Sequence, residues 1–165
     1  MRKIILLILI ILPSLFSIAQ NTAIEFKYKD SLKTQQSLFD ILDKGNIVIL
    51  IYEHQCPACT KGSQNVKEVI LKYYSDKKNI KIIYLDNGAN SLSSTKNWIK
   101  KNSLLNGECV KYSTDYSSPY GEGMPVIVIT AGKSHKIFLI SNSPSDISTL
   151  NKALINAFTE ISEMK

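Results

Sequence analysis

The segment IVILIYEHQCPACTKG (residues 47–62) decides how this sequence folds, because an apolar strand runs directly into a closely spaced pair of cysteines. Residues 47–52 are apolar on both faces, as is typical of a central strand that is covered from both sides. Cys56 and Cys59 follow after a short turn, with Pro57 between them. Proline fits the first turn of a helix, since its φ is already helical and its missing N–H would have had no partner. We therefore predict a strand–turn–helix unit with Cys56 at the helix start.

The helix-start position of this pair favours redox chemistry. A sulfur at a helix N-terminus lies beside amide groups without helical partners and at the positive end of the helix dipole, so its thiolate is stabilised. We therefore predict that the pKa of Cys56 lies below the free-thiol value of about 8.5. Cys59 follows one turn later on the same side of the helix. In such a pair Cys56 attacks a disulfide and Cys59 then resolves the mixed disulfide.

A permanent structural disulfide and a metal site are the alternatives for the pair. A disulfide that closes so short a loop stabilises the fold little, because the stabilisation from a disulfide grows with the length of the loop that it closes. A structural zinc site needs four ligands, usually from two paired sets. The chain offers a single pair, and Cys109, His54 and His135 form no second one. We therefore expect no metal and interpret Cys56 and Cys59 as redox-active thiols. We expect Cys109 to be a small buried apolar side chain.

The N-terminal segment has the pattern of an export signal. A positively charged start precedes the apolar run Ile4–Leu12, and small residues follow before residue 20. Nine apolar residues are too few to cross a bilayer as a helix, which takes about 20. An uncleaved membrane anchor is the alternative. We predict a signal peptide at residues 1–19 and one exported domain at residues 20–165, located in the periplasm or another extracytoplasmic space.

Charge and cysteine usage agree with an exported protein that does not bind nucleic acid. The chain carries 20 Lys and Arg residues against 14 Asp and Glu residues, a formal net charge of +6. The lysines are spread along the chain among acidic residues, so no single basic face for nucleic acid can be traced. The predicted mature chain contains all three cysteines, and export would place them where disulfides persist.

Hydrophobic periodicity predicts a single mixed α/β domain. Apolar residues at three- and four-residue spacing predict helices within residues 35–46, after the cysteine pair, at 93–102 and from 145 onward. Alternating or continuous apolar runs predict strands at residues 23–30, 47–52, 80–86, near Cys109, 125–130 and 135–141. This order argues for a central, partly parallel β-sheet flanked by helices and closed by an antiparallel hairpin.

Three features together resemble the thioredoxin superfamily: the apolar strand that ends at CPAC, the helix after it, and GMPVIVIT at residues 123–130. In that superfamily a cis-proline faces the cysteine pair and precedes the strand that starts the closing hairpin. Pro125 matches this position, so the resemblance implies a cis Met124–Pro125 bond that docks an extended substrate, with Met124 at the mouth of the site. The long gap between Cys59 and Pro125 resembles the inserted helix and strand of exported TlpA-like and cytochrome-maturation thiol-disulfide oxidoreductases.

The sequence departs from the family pattern at three positions around the pair. Gln55 stands where a tryptophan is usual, and Leu50 replaces the buried aspartate of thioredoxin. Gly62 replaces a glutamate that some TlpA-like relatives carry. Both familiar proton acceptors for the resolving thiol are therefore missing. Glu53 and His54 are the nearest candidates for proton transfer or for tuning the pKa of Cys56.

The resemblance implies an exported thiol-disulfide oxidoreductase with Cys56 as nucleophile and Cys59 as resolving thiol. Its substrates would be protein thiols or disulfides, and a redox partner would recycle the pair. No dissociable cofactor, nucleic acid or stable membrane insertion after signal cleavage is expected. The alternative is a non-catalytic module of the same fold that binds a protein partner or a soft metal such as Cu(I).

Overall fold

The computed structural model describes residues 21–30, 32–88, 90–113 and 118–163. The signal peptide predicted at residues 1–19 lies outside the described residues, so the export signal and the domain boundary at residue 20 stay predictions. Within the described ranges, no helix is long and apolar enough to cross a membrane.

The centre of the domain is a five-stranded mixed sheet with the strand order β5–β4–β3–β6–β7. Strands β3, β4 and β5 run parallel to one another, whereas β6 runs antiparallel to both β3 and β7. The strands of this sheet are β3 (Ile47–Glu53), β4 (Ile80–Asp86), β5 (Glu108–Lys111), β6 (Val126–Ala131) and β7 (Lys136–Ser141). A separate antiparallel ribbon consists of β1 (Lys27–Lys29) and β2 (Gln35–Ser37). The predicted mixed central sheet is thus confirmed.

Four described helices flank the sheet, and each begins at a side chain that caps its free amides. They are α1 (Leu38–Asp43), α2 (Pro57–Tyr73), α3 (Leu92–Lys101) and α4 (Ile147–Ser162). Ser37, Ser91 and Asp146 accept hydrogen bonds at the starts of α1, α3 and α4, as is usual for N-cap residues. At the start of α2 a cysteine takes this place.

Strand β3 divides the core into two layers because successive side chains point to opposite faces of a sheet. Ile47, Ile49 and Ile51 pack in one layer with residues of α2, α3 and α4. Val48 and Leu50 pack in the other layer with residues of α1 and with tyrosines. All of these strand side chains are fully buried, which confirms the prediction of a central strand covered on both faces.

The N-terminal elements differ from the sequence prediction. Strand β1 covers residues 27–29 only, not 23–30, because the backbone amides of Ala23 and Ile24 donate to His135 and Tyr120 instead. The Glu25 carboxylate accepts hydrogen bonds from the amides of Leu38 and Phe39 at the start of α1. Residues 35–37, predicted as helix, form strand β2, so α1 is shorter than expected.

The inserted elements predicted between the cysteine helix and the proline strand are present. Helix α3 and strand β5 lie between β4 and β6 along the chain, and β5 adds a parallel strand beside β4. Because α3 packs in the same layer as α2, the insertion brings polar side chains of α3 next to the turn that follows β3.

Candidate active site

The cysteine pair lies at the start of α2, directly after the carboxyl end of β3. Cys56 is the N-cap of α2, and Pro57 is its first helical residue, as the sequence predicts. The Cys56 Sγ accepts a hydrogen bond from the Cys59 amide at 2.9 Å. In the reduced protein an amide donor at this place would stabilise a thiolate, and the low pKa of Cys56 stays a prediction.

Cys56 and Cys59 are joined in a disulfide, and their two sulfurs differ in accessibility. Cys59 is 0% exposed and belongs to the core layer beneath α2. Cys56 is only partly buried and borders that layer. A partner can therefore approach Cys56 but not Cys59, which is the asymmetry that a nucleophile and a resolving thiol require.

The turn between β3 and α2 is held by side-chain contacts. Gln55 has a φ of 65°, a left-handed conformation that residues other than glycine adopt only at a cost. Its amide donates to the Glu53 Oε2 at 2.6 Å, and its side-chain Oε1 accepts from the Ser94 Oγ at 3.1 Å. Gln55 thus connects the cysteine turn to α3.

Glu53 and Asp86 form a buried carboxyl pair beside this turn. They are partners in the parallel register of β3 and β4, and both are 0% exposed. Burial raises the pKa of Glu53 to about 7, and the nearby Asp86 adds to this rise, although the hydrogen bonds from Gln55 and Thr95 oppose it. The Lys111 ammonium lies 3.5 Å from Asp86. Glu53 is therefore a carboxyl group that can take up and release a proton near neutral pH.

His54 lies directly beside the cysteine pair. One ring nitrogen of His54 and the two sulfurs of Cys56 and Cys59 all lie within 4.8 Å of one another. Both nitrogens of the imidazole are buried. The sequence placed His54 near the pair, and the structure brings its ring into the same cluster.

The predicted docking residues are close to α2. The Met124–Pro125 peptide bond is cis, as the resemblance implied. A Cβ built on Gly62 of α2 would lie 3.0 Å from the Pro125 Cγ, which places the proline loop one helical turn beyond Cys59. Met124 borders the same core layer as Cys56. The docking role of both residues stays a prediction.

The other residues weighed from the sequence lie outside this cluster. Cys109 is a buried free cysteine on β5, and burial raises the pKa of its thiol to about 11. His135 bonds to Asp43 at 2.9 Å and stacks on Phe39. Trp98 packs against Tyr84, as expected of a core residue.

A shallow groove lies between α2 and α3, beside the residues that flank Cys56 in the chain. It has a volume of about 550 Å³ and is lined by Pro57, Thr60, Trp98 and neighbouring polar residues. The Trp98 indole donates to the Thr60 Oγ1 at 3.1 Å along this groove. A second open cavity of about 610 Å³ lies at the other end of the sheet, near the start of β4, away from the cysteines.

Solved structures with the same architecture cover most of this chain. A protein from Neisseria meningitidis assigned as a thioredoxin superposes with a TM-score of 0.64 at 19% identity, over 88% of this chain and 94% of its own. The chain has the thioredoxin fold. A protein from Bacteroides thetaiotaomicron assigned as a disulfide isomerase shares this thioredoxin fold, with a TM-score of 0.68 at 15% identity, over 87% of this chain and 92% of its own.

A third example of the thioredoxin fold is a DsbF homologue from Corynebacterium diphtheriae. Its TM-score is 0.62 at 15% identity, over 82% of this chain and 85% of its own. No protein-family model and no curated protein matches the sequence. Likeness at this level of identity establishes the fold, so the activity has to be argued from the site itself.

Two side chains near the site, those of Asp86 and Ser94, were not predicted from the sequence. Asp86 ends a buried strand in the same way as Glu53 ends its own, in IKIIYLD and IVILIYE. Because the carboxyl ends of adjacent parallel strands meet at one edge, this pattern could have indicated the pair. The contact between Ser94 and Gln55 joins residues 39 positions apart, and no sequence signal indicates it.

Proposed function

We propose that this protein is an exported thiol-disulfide oxidoreductase that exchanges disulfides with protein substrates through Cys56 and Cys59. The observation that carries the proposal is the unequal pair at the start of α2. Cys56 is the partly accessible N-cap sulfur, and Cys59 is fully buried within bonding reach of it. The thioredoxin fold raises the expectation of this chemistry by analogy.

The bonds that form and break in the exchange belong to the two thiols and a disulfide-bonded partner. In the reducing direction the Cys56 thiolate attacks a substrate disulfide, forms a mixed disulfide and releases one substrate thiolate. Cys59 loses its proton and attacks the Cys56 sulfur, which releases the second substrate thiolate. The substrate gains two electrons and two protons, and the protein ends in its disulfide form. A dithiol redox partner then restores the reduced pair.

Glu53 is the proposed proton acceptor for Cys59. It follows Ile51 by two residues, so it lies on the face of β3 that packs against Cys59. Its carboxyl group is buried, and a buried base exchanges a proton with a neighbouring thiol without competition from solvent. In this proposal Glu53 takes the place of the acidic groups that Leu50 and Gly62 leave missing. His54 would assist by tuning the pKa of Cys56.

Substrate docking is assigned to the loop with the cis bond. The backbone at Met124 and Pro125 would pair with an extended substrate segment, while the Met124 side chain contacts the residue next to the substrate cysteine. Docking through backbone atoms tolerates many sequences, which suits an enzyme that acts on several proteins.

The test is reduction of a disulfide-bonded protein, with insulin as the substrate and dithiothreitol as the recycling dithiol. The Cys109→Ser protein should accelerate insulin reduction over dithiothreitol alone. The Cys56→Ser variant should lose all acceleration. The Cys59→Ser variant should instead accumulate a mixed disulfide at Cys56, visible as a mass increase that a reductant removes. A pair that reduces reversibly but never forms a mixed disulfide would support the binding-module alternative and reject this proposal.

A further inference from the structure

The reduced site contains the donor set of a soft metal ion. The His54 imidazole and the Cys56 and Cys59 sulfurs come from the turn after β3 and the first turn of α2, and one ligand atom of each lies within 4.8 Å of the others. Two sulfurs that share one ion can lie at most about 4.6 Å apart, because a metal–sulfur bond is about 2.3 Å long. The observed distances are those of the disulfide form, and they already bring the three donors close to this limit.

We infer that the reduced protein binds one Cu(I) ion through the His54 imidazole and the thiolates of Cys56 and Cys59. Two thiolates and one imidazole form a soft, three-coordinate set. Thiolate ligands favour both Cu(I) and Zn²⁺, but a structural zinc site takes four protein ligands, so a set of three donors favours Cu(I). The surroundings also suit a soft ion, since Cys59 is fully buried and both His54 nitrogens are buried.

The turn itself preorganises these ligands. The Glu53 carboxylate accepts from the Gln55 amide, and Ser94 of α3 holds the Gln55 side chain. Gln55 lies between His54 and Cys56 in the chain, so these contacts fix the direction in which both ligands project. Preorganisation of this kind lowers the entropy that metal binding costs.

Metal binding would depend on the redox state of the pair. In the oxidised protein the two sulfurs are bonded to each other, so neither is a thiolate that can bind a metal. A dithiol opens the disulfide to two thiols by giving up two electrons and two protons. A phosphine gives the two electrons and becomes a phosphine oxide, and water supplies its oxygen and the two protons. Binding of Cu(I) then releases both thiol protons to solvent, so affinity should rise with pH. A bound ion would occupy both sulfurs and so compete with disulfide exchange.

This inference rests on the proposed function in one respect, since it requires that the pair can be reduced in the folded protein. The experiment therefore first counts thiols. The full chain is reduced with a phosphine, desalted without oxygen and assayed for free thiols. It is then titrated with Cu(I) acetonitrile complex against the chromophoric chelator bicinchoninate. X-ray absorption spectroscopy of the loaded protein identifies the ligands.

Matched variants assign the donors. The chain contains two histidines and three cysteines, so His135→Ala and Cys109→Ser remove the groups outside the site. Both should keep about one Cu(I) per chain with one nitrogen and two sulfur ligands. His54→Ala should lose the nitrogen ligand and at least about tenfold in affinity, since even changes around a metal ligand cost 10–100-fold. The oxidised protein should take up no Cu(I).

The outcomes separate the two proposals. Thiols that never form under phosphine would overturn both. Thiols that form without uptake of Cu(I), or uptake that His54→Ala leaves unchanged in affinity and ligands, would overturn the metal site alone. Preferential uptake of Zn²⁺ over Cu(I) in a competition titration would also overturn it.

Discussion

Gly62 of α2 and Pro125 of the cis-peptide loop are in direct contact, and a Cβ on the glycine would lie 3.0 Å from the proline Cγ and 3.2 Å from the Ile127 Cδ1. The helix that carries the cysteines is thus pressed against the loop assigned to substrate docking. This close approach leaves little room for a side chain at position 62. A longer side chain at this position would displace the proline loop.

The first prediction concerns this contact. Gly62→Ala should lower the free energy of unfolding by about 1 kcal/mol, because overpacking costs about 1–3 kcal/mol and the gain in helix propensity, up to about 1 kcal/mol, offsets only part of it. Urea unfolding of the oxidised protein measures the change. Lys61→Ala, at an exposed neighbour on α2, is the control and should be near neutral. A Gly62→Ala protein more stable than the parent would show that the loop with Pro125 moves aside at little energetic cost.

The second prediction concerns the pH dependence of stability. The pKa of Glu53 is about 7 in the folded protein, above its ordinary value of 4.5. The folded state therefore binds more protons than the unfolded state between these values, and stability falls as the pH rises. The stabilisation from protonated Glu53 is fully present below pH 4.5. It is lost as the pH rises through 7, and the loss is on the order of 3 kcal/mol.

Glu53→Gln should remove this fall. Urea unfolding of the oxidised protein between pH 5 and 8 should show a steeper decline for the parent than for the variant. Glu68→Gln, at an exposed site on α2, should decline like the parent. Parallel curves for the parent and Glu53→Gln would contradict the raised pKa.

The third prediction concerns the remaining thiol. Because burial raises the pKa of Cys109 to about 11, almost none of it is thiolate at pH 8, and iodoacetamide reacts with thiolates. The folded, reduced protein should therefore be alkylated rapidly at Cys56 and very slowly at Cys109. Peptide mapping by mass spectrometry measures both. In urea, Cys109 should react at the rate of a free cysteine, and fast labelling in the folded state would disprove its burial.

The fourth prediction concerns the left-handed residue before the pair. Gln55→Gly and Gln55→Ala both lose the hydrogen bond to Ser94. Only alanine is strained by the φ of 65°, because glycine adopts this conformation freely. Alanine at such a position costs more than the backbone entropy that it saves, so Gln55→Ala should be less stable than Gln55→Gly by about 1 kcal/mol. Thermal unfolding of the two variants compares them directly. Equal stability would mean that the turn relaxes to another conformation.

Much of the fold and part of the site follow from local sequence patterns. The apolar run before CPAC, the proline after Cys56 and the periodicity of the later segments predict a strand, a helix start and the order of the elements. These signals act between residues at most about four positions apart, through strand alternation, helical spacing and capping. The cis bond before Pro125 is expected from the resemblance to a family, and the structure confirms that bond.

Tertiary structure alone decided the surroundings of the pair. The partnership of Glu53 with Asp86 depends on the register of two strands, and the support of Gln55 by Ser94 depends on where α3 packs. The contact of Gly62 with Pro125 depends on how the loop approaches α2. By itself, the sequence determined the strand, the cysteine pair and its helix, because local backbone preferences specify them. The groups that surround the sulfurs come from distant segments, and only packing of the whole core brings those together.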